Sequence, residues 1–181
     1  APVFIGASAT SARPQDSFAR LIGAPSEEVT AIREDTSPHG PVTVVLWEPE
    51  QSGAEGENGA PVRRSAVVEA AEMLTDLVLR QVRTLAFVGS RRGSETIAQI
   101  AHRQLEEVEP GLAHRVAAYR SGYLPEERRE IEQQLRDGRL LGLSSTSALE
   151  LGIDIAGLDA VLVAGWPGTR SSFFQQIGRA G

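Results

Sequence analysis

The stretch that decides the fold is TLAFVGSRRGSETIAQIAHRQLEEVEPGLAHRVAAY, residues 84–119. It opens with an apolar run, TLAFVGS (84–90), which predicts a buried strand. A helical pattern follows, with Ser94 as its predicted cap, and RVAAY (115–119) predicts a second strand. A strand, a helix and a second strand in this order indicate a βαβ unit with parallel strands. The apolar positions of the helix are Ile97, Ile100, Ala101 and Leu105.

The same alternation continues toward the end of the chain. LPEERREIEQQLRDG (124–138) predicts a helix, because proline and two glutamates stand in its first turn. LLGLSST (140–146) and DAVLVAG (159–165) predict two more strands, and SSFFQQIGRA (171–180) opens a further helix. The pattern therefore predicts an α/β fold with a mostly parallel sheet and helices on both faces.

The first half of the chain carries weaker signals. PVFIGAS (2–8) and VTVVLWEP (42–49) are apolar runs that predict strands. One helix is predicted to stop at Gly23, and a second is predicted between Arg63 and Gln81. EQSGAEGENGAP (50–61) is polar, acidic and rich in glycine, which predicts a flexible surface loop.

Length and composition limit the possible functions. The 181 residues suffice for one ordinary α/β domain, and the net charge of −6 gives no overall attraction to nucleic acid. The sequence has no cysteine, which excludes disulfides and thiolate metal sites and fits a reducing compartment. No apolar run approaches the roughly 20 residues of a membrane helix, and no signal peptide is visible. We therefore expect a cytoplasmic protein with no membrane partner.

Polar side chains follow the predicted strands, where ligands bind to an open parallel sheet. They are hydroxyl residues, glycines and arginines, which suit phosphate oxygens. Ordinary structural roles remain open: Arg91 could be a solvated cation, Thr146 a helix cap, and Asp154 one half of a buried ion pair. The residues concerned include Ser8, Thr10, Ser90, Arg91, Arg120, Ser145 and Thr146.

Several common catalytic patterns are missing from the sequence. It contains no G-x-x-x-x-G-K-[ST] phosphate loop and no G-x-G-x-x-G after a strand. No acidic pair stands out as a Mg²⁺ site, and the three histidines are scattered. The sequence therefore predicts no metal site and no self-contained catalytic centre.

The order of the motifs resembles the second RecA-like domain of superfamily 2 helicases. SAT (8–10) is similar to motif III, FVGSRRGSE (87–95) to motif IV, SSTSALELGIDI (144–155) to motif V and QQIGRAG (175–181) to motif VI. YRSGYLPEERREIEQQLRDG (119–138) resembles the segment that follows motif IV. The resemblance implies a RecA-like fold, of the P-loop NTPase type.

The resemblance also implies a domain organisation. Residues 1–40 would be the end of the first motor domain and a linker, and residues 41–181 would be the second RecA-like domain, cut within motif VI. GYLPEERR and GWPGT, together with motifs V and VI, look most like the MrfA/YprA type of bacterial DNA repair helicase. The RNA-unwinding DEAD-box proteins usually have His-Arg where this chain has Gln175-Gln176.

In such motors ATP and Mg²⁺ lie between two RecA-like domains, and most of their ligands belong to the first, which is missing here. The resemblance implies that Arg179 is an arginine finger and that Gln175 faces the γ-phosphate or the motif III region. Gly152 and Asp154 would lie near the ribose and the domain interface. Ser8 and Thr10 would couple the ATP site to the nucleic-acid track.

The resemblance further implies contacts with the phosphates of one strand of single-stranded or partly duplex nucleic acid, with DNA favoured over RNA. The residues implied are Ser90, Arg91, Arg120, Ser145 and Thr146. The full-length parent would be an ATP-dependent helicase or translocase, and the fragment alone would be inactive. Two alternatives remain open: a RecA-like binding module without turnover, and a stand-alone nucleotide enzyme such as a dehydrogenase. A degraded P-loop upstream would favour the first, and the missing glycine fingerprint counts against the second.

Overall fold

The computed structural model divides the chain into two compact units, Ala1–Gly40 and Pro41–Gly181. The residues that it describes are 2–34, 36, 40–119, 122–149 and 157–181.

The first unit contains one helix, α1 (Pro14–Ile22), and a short 3₁₀ turn, Ser26–Glu28. Gly23 ends the helix in the left-handed region, with φ of 72°, and its N–H bonds back to the carbonyl of Ala19. Glycine reaches this backbone conformation without the steric cost that a Cβ would add. The predicted helix and its glycine stop are confirmed.

The two apolar runs predicted as strands, 2–8 and 42–49, form no regular element. Their large side chains are exposed: Ile5 and Leu46 are each 92% exposed. A strand is stable only when its backbone pairs with a neighbour, and the described residues supply neither run with such a neighbour. The strand predictions for both runs are therefore wrong in this structure.

A β-hairpin replaces the predicted flexible loop at 50–61. Strand β1 (Gln51–Glu55) pairs antiparallel with β2 (Pro61–Arg63). Asn58 and Gly59 turn the chain with φ of 60° and 73°. Asparagine and glycine tolerate this left-handed backbone, so the Asn-Gly pair fixes a turn that composition alone concealed.

Two side chains of the hairpin region hold it to the next helix, α2 (Ala66–Leu79). Arg64 forms ion pairs with Glu69 at 2.9 Å and with Glu72 at 2.6 Å, and its hydrogen bond to Glu72 raises the pKa of Arg64. The indole N–H of Trp47 donates to Glu69 at 3.1 Å. Through Trp47, the extended segment before the hairpin is tied to α2.

Four parallel strands form the sheet of the second unit, in the order β4-β5-β3-β6. Every residue of the central strand β3 is buried. The strands are β3 (Thr84–Val88), β4 (Val116–Tyr119), β5 (Gly142–Ser145) and β6 (Ala160–Ala164). The helices that follow α2 are α3 (Arg91–Val108), α4 (Pro110–Ala113), α5 (Pro125–Arg136) and α6 (Arg170–Ile177).

Helices cover both faces of this sheet. Alternate residues of β3 point to opposite sides, so Ala86 and Val88 pack with α2 and α3, whereas Leu85 and Phe87 pack with Leu135 of α5. The predicted α/β fold with a parallel sheet is confirmed. Within the described residues, no helix combines the length and the apolar character needed to cross a bilayer.

Tyr119 ends β4 inside the core beneath α5. It is 1% exposed, and its hydroxyl donates to Glu132 at 2.9 Å. Burial, reinforced by this hydrogen bond, raises the pKa of Tyr119 to about 12.

We expect the stability of the domain to fall at alkaline pH because of Tyr119. An unfolded tyrosine loses its proton near pH 10, whereas the folded one keeps it to about pH 12. Between these values the unfolded state binds fewer protons, so the free energy of unfolding falls by about 1.4 kcal/mol per pH unit. Urea unfolding of wild type and Tyr119→Phe at pH 7 and pH 11 measures this: the variant should lose less stability on alkalinisation. An equal loss in both proteins would contradict the assignment.

Candidate functional site

A cleft of about 180 Å³ opens at the carboxyl ends of β3, β5 and β6. Its floor is the buried end of β3, and two glycines keep its rim open. Hydroxyl, amide and aromatic side chains share its wall. The lining residues are Phe87, Val88, Gly89, Thr146, Ser147, Val163, Ala164, Gly165, Trp166, Pro167 and Gln176.

Helix α3 begins beside this cleft, and Ser90 caps it. The Ser90 Oγ accepts the backbone N–H of Gly93 at 3.0 Å. Gly93 is required there, because a Cβ would lie 2.9 Å from Val88 Cγ2. The predicted cap, Ser94, is instead fully buried in the first turn of the helix. The sequence does contain a signal for the true cap: Ser90 directly follows Gly89, the glycine that ends the strand pattern.

The start of α3 is well suited to an anion. The helix has 18 residues, so its N-terminus carries a positive partial charge. Arg91 and Arg92 occupy its first turn and are exposed. The Ser90 hydroxyl is exposed as well, and its proton remains available to a phosphate oxygen while its lone pair caps the helix.

Ser145 and Thr146, two neighbouring hydroxyl residues at the end of β5, differ in their exposure. Ser145 is 0% exposed between β3 and β4, and its hydroxyl forms no hydrogen bond within the described structure. Thr146, the next residue, is partly exposed and lies on the cleft wall. In this structure only Thr146 of the pair reaches a surface that a ligand can touch.

The loop after β6 presents an aromatic ring beside the cleft. Gly165 and Gly168 adopt φ of 88° and 91°, values that side-chain-bearing residues rarely take. Trp166 stacks on Phe173 with ring centroids 5.7 Å apart and an interplanar angle of 26°. Thr169 ends the loop by capping α6: its Oγ1 accepts the N–H of Ser172 at 3.0 Å.

Arg179 lies near the amino end of β6, three residues after Gln176. Helix α6 ends at Ile177, so Arg179 follows the helix in a turn. The next residue, Ala180, forms a parallel bridge with Leu158, just before β6 begins. Val163 and Ala164, at the carboxyl end of β6, line the cleft, whereas the bridge lies before the amino end of the same strand.

The two glutamines of α6 have different surroundings. Gln176 is 4% exposed and lines the cleft, whereas the predicted site residue Gln175 is half-buried and does not line it. Sequence reasoning missed Gln176. Helical periodicity could have found it, since Gln176 and Phe173 are three residues apart and face the same side.

The remaining predicted residues cannot be placed at the cleft. Ser8 is exposed and Thr10 is half-buried, and both belong to the first unit. Arg120, Gly152 and Asp154 lie outside the described residues. In the part of the chain that the structure describes, no group of three or more His, Asp or Glu side chains could hold a metal ion.

Residues 69–181 match the family described as the helicase conserved C-terminal domain. The chain belongs to this helicase family. The predicted superfamily 2 resemblance is thus confirmed, and the helicase domain has relatives that match nearly its whole length.

The ATP-dependent helicase HRQ1 of Saccharomyces cerevisiae is 40% identical over 98% of this chain and 16% of its own length. The protein named uncharacterized ATP-dependent helicase YprA of Bacillus subtilis is 39% identical over 99% of this chain and 23% of its own length. This helicase domain therefore spans less than a quarter of these relatives.

Solved structures show the same subgroup. The DUF1998 helicase MrfA bound to DNA matches 96% of this chain, and this chain covers 22% of it, with a TM-score of 0.84 and 37% identity. The same helicase bound to DNA and AMPPNP matches 96% of this chain and is covered over 23%, with a TM-score of 0.78 and 36% identity. The predicted MrfA/YprA subgroup is therefore confirmed for this helicase domain.

Proposed function

We propose that this chain is the second motor domain of an ATP-dependent DNA helicase or translocase. The observation that carries the proposal is the family match over 69–181, which includes the Gly-Arg-Ala-Gly sequence around Arg179. DNA is favoured over RNA because the similar MrfA helicase was solved bound to DNA.

The cleft edge is the proposed track for one nucleic-acid strand. Ser90 and Arg91 at the start of α3, and Thr146 on the cleft wall, are the proposed phosphate contacts, supported by the exposure of Ser90 and Arg91 and by the place of Thr146 in the cleft lining. Arg120 and Ser145 are retained as proposed contacts; Ser145 would need a local opening of the end of β5, where it is buried. Phosphate contacts carry no base information, so binding should be independent of sequence.

All 18 basic residues of the chain are arginines, and lysine is absent. A guanidinium is effectively always protonated in proteins and can bind a phosphate through two parallel hydrogen bonds. The positive groups at the start of α3 would therefore attract phosphates locally, although the chain has a net charge of −6. Strand binding should weaken steeply with added salt, since each neutralised phosphate releases counterions.

The turn that carries Arg179 is the proposed contact with ATP. Arg179 would approach the γ-phosphate of a nucleotide held mainly by the first RecA-like domain. Phosphoryl transfer depends on positioning and charge stabilisation, so an arginine from a second domain can supply much of the rate. Bound Mg²⁺ would neutralise charge on the β- and γ-phosphates, held by the first domain. Gln175, Gly152 and Asp154 are the further proposed nucleotide contacts.

The cleft edge and this turn suggest how hydrolysis could move the strand. β6 and α6 connect the cleft to the turn that carries Arg179, so both sites move together when the domain moves. We infer that closure on ATP advances the cleft edge along the strand and that opening after hydrolysis resets it. Ser8 and Thr10, in the first unit, would relay the state of the nucleotide.

The test is nucleic-acid-stimulated ATPase of the full-length parent, measured with single-stranded DNA and RNA in parallel. DNA should raise turnover more than RNA, and raising the salt concentration should reduce the stimulation. Strand binding without any turnover would favour the alternative of a binding module. Absence of both binding and turnover would refute the proposal.

The 181-residue chain alone should not hydrolyse ATP. Its sequence contains no P-loop, and an arginine finger has no effect without a nucleotide positioned before it. Phosphate release should stay at the background rate with and without DNA, whereas the full-length parent should turn over under the same conditions. Turnover by the purified chain, removed by Arg179→Ala, would show that it contains a complete site.

A further inference from the structure

Trp166 has the features of a binding surface rather than of a core residue. It is 64% exposed and lies directly beside the cleft. One face of its indole stacks on Phe173, which is itself held edge-on by Phe174 at 5.7 Å. The ring therefore has a fixed orientation and still keeps surface for a second flat group.

The backbone holds the indole in place before any ligand arrives. Trp166 lies between Gly165 and Gly168, whose positive φ values define a tight loop, and Pro167 removes further freedom. Thr169 fixes the far end of the loop by capping α6. A rigid aromatic ring loses little entropy on binding, so most of its contact energy is available for affinity.

We propose that Trp166 is a stacking platform for one unpaired nucleobase of the bound strand. The inference rests on the proposed strand binding at the cleft, where the hydroxyls of Thr146 and Ser147 share the wall with the indole. A phosphate held by these hydroxyls places its attached base one sugar away, within reach of the ring. Every base has a flat π-face, so the platform selects unpaired bases without selecting a sequence.

Stacking would also explain how an acidic domain holds a polyanion. The net charge of −6 weakens the electrostatic part of binding, and that part is screened by salt. Base stacking on an aromatic ring involves no counterion release. Trp166 should therefore supply a component of affinity that is insensitive to salt and lost when a base is paired or absent.

The experiment measures binding of the full-length parent to single-stranded oligodeoxynucleotides by fluorescence anisotropy. Trp166→Ala should weaken binding about 5- to 140-fold, the range for loss of one base–aromatic stack, without changing the salt slope. Trp166→Phe should retain most of the affinity because it keeps an aromatic face. Trp47→Ala is the matched control: Trp47 is also exposed, at 61%, and does not line the cleft.

Two further arms identify the ligand. An abasic oligonucleotide should bind wild type and Trp166→Ala equally. In a strand with all its bases, the fluorescence of an incorporated 2-aminopurine should be quenched more by wild type than by the variant. Equal affinities on normal strands, or the same loss on abasic ones, would overturn the stacking role. If Trp166→Ala instead raises the KM for ATP and leaves strand binding unchanged, the ring stacks on the adenine of ATP, and the proposal is overturned. If the wild-type parent binds no strand at all, the proposed function itself fails.

Discussion

Replacing Arg179 with alanine in the full-length parent should lower the kcat of DNA-stimulated ATP hydrolysis by about 10²-fold or more. The physical reason is the charge that develops on the γ-phosphate oxygens during transfer. A guanidinium placed against these oxygens stabilises the transition state more than the ground state, so its loss should appear in kcat rather than in KM. Steady-state phosphate release at saturating DNA and ATP measures the effect.

Two control variants separate the finger from a general loss of charge or fold. Arg179→Lys keeps a positive charge but not the two-pronged guanidinium, so it should recover only part of the lost rate. Arg103→Ala removes an exposed arginine from α3, away from both proposed sites, and should leave turnover unchanged. An unchanged kcat for Arg179→Ala in a folded, DNA-binding parent would remove this residue from the mechanism.

Replacing Phe87 with alanine should lower the free energy of unfolding of the domain by about 3–5 kcal/mol. Phe87 is 1% exposed in β3, the strand that pairs with both β5 and β6. Its ring fills the core face covered by α5 and also forms part of the cleft floor. Truncation leaves a cavity that close-packed neighbours cannot fully close, and a domain stable by about 5–15 kcal/mol loses a large share.

Chemical denaturation of Phe87→Ala beside wild type measures this loss. Phe174→Ala is the matched control, because Phe174 is 58% exposed, and it should change stability by less than about 1 kcal/mol. Equal effects of the two substitutions would mean that the core does not depend on the ring of Phe87.

The periodic second half of the chain was predictable because local signals and tertiary environment agree there. TLAFV is apolar at every position and becomes a fully buried central strand, and the Pro125 helix begins as its first turn predicts. The segment VTVVLWEP has an equally strong strand pattern and forms none. Strand formation requires a backbone partner at a distance, which composition cannot supply.

The candidate site was predictable in residue type but not in arrangement. The sequence indicates hydroxyl and arginine residues directly after the strands, as Ser90, Arg91 and Thr146 are, but it does not show that Ser145 is buried where Thr146 is not. The position of Arg179 depends on the bridge between Ala180 and Leu158, residues 22 positions apart in sequence. No local pattern encodes a pairing of this range, and the same is true of the stack between Trp166 and Phe173.

The turn that carries Arg179 is fixed on both sides. The backbone N–H of Arg179 donates to the carbonyl of Gln176 at 3.2 Å. Two residues later, the N–H of Gly181 donates to the carbonyl of Leu158 at 3.1 Å. Ordering a flexible residue lowers conformational entropy by an amount worth about 1–2 kcal/mol at room temperature. Here that backbone ordering accompanies folding, so it need not recur in each catalytic cycle.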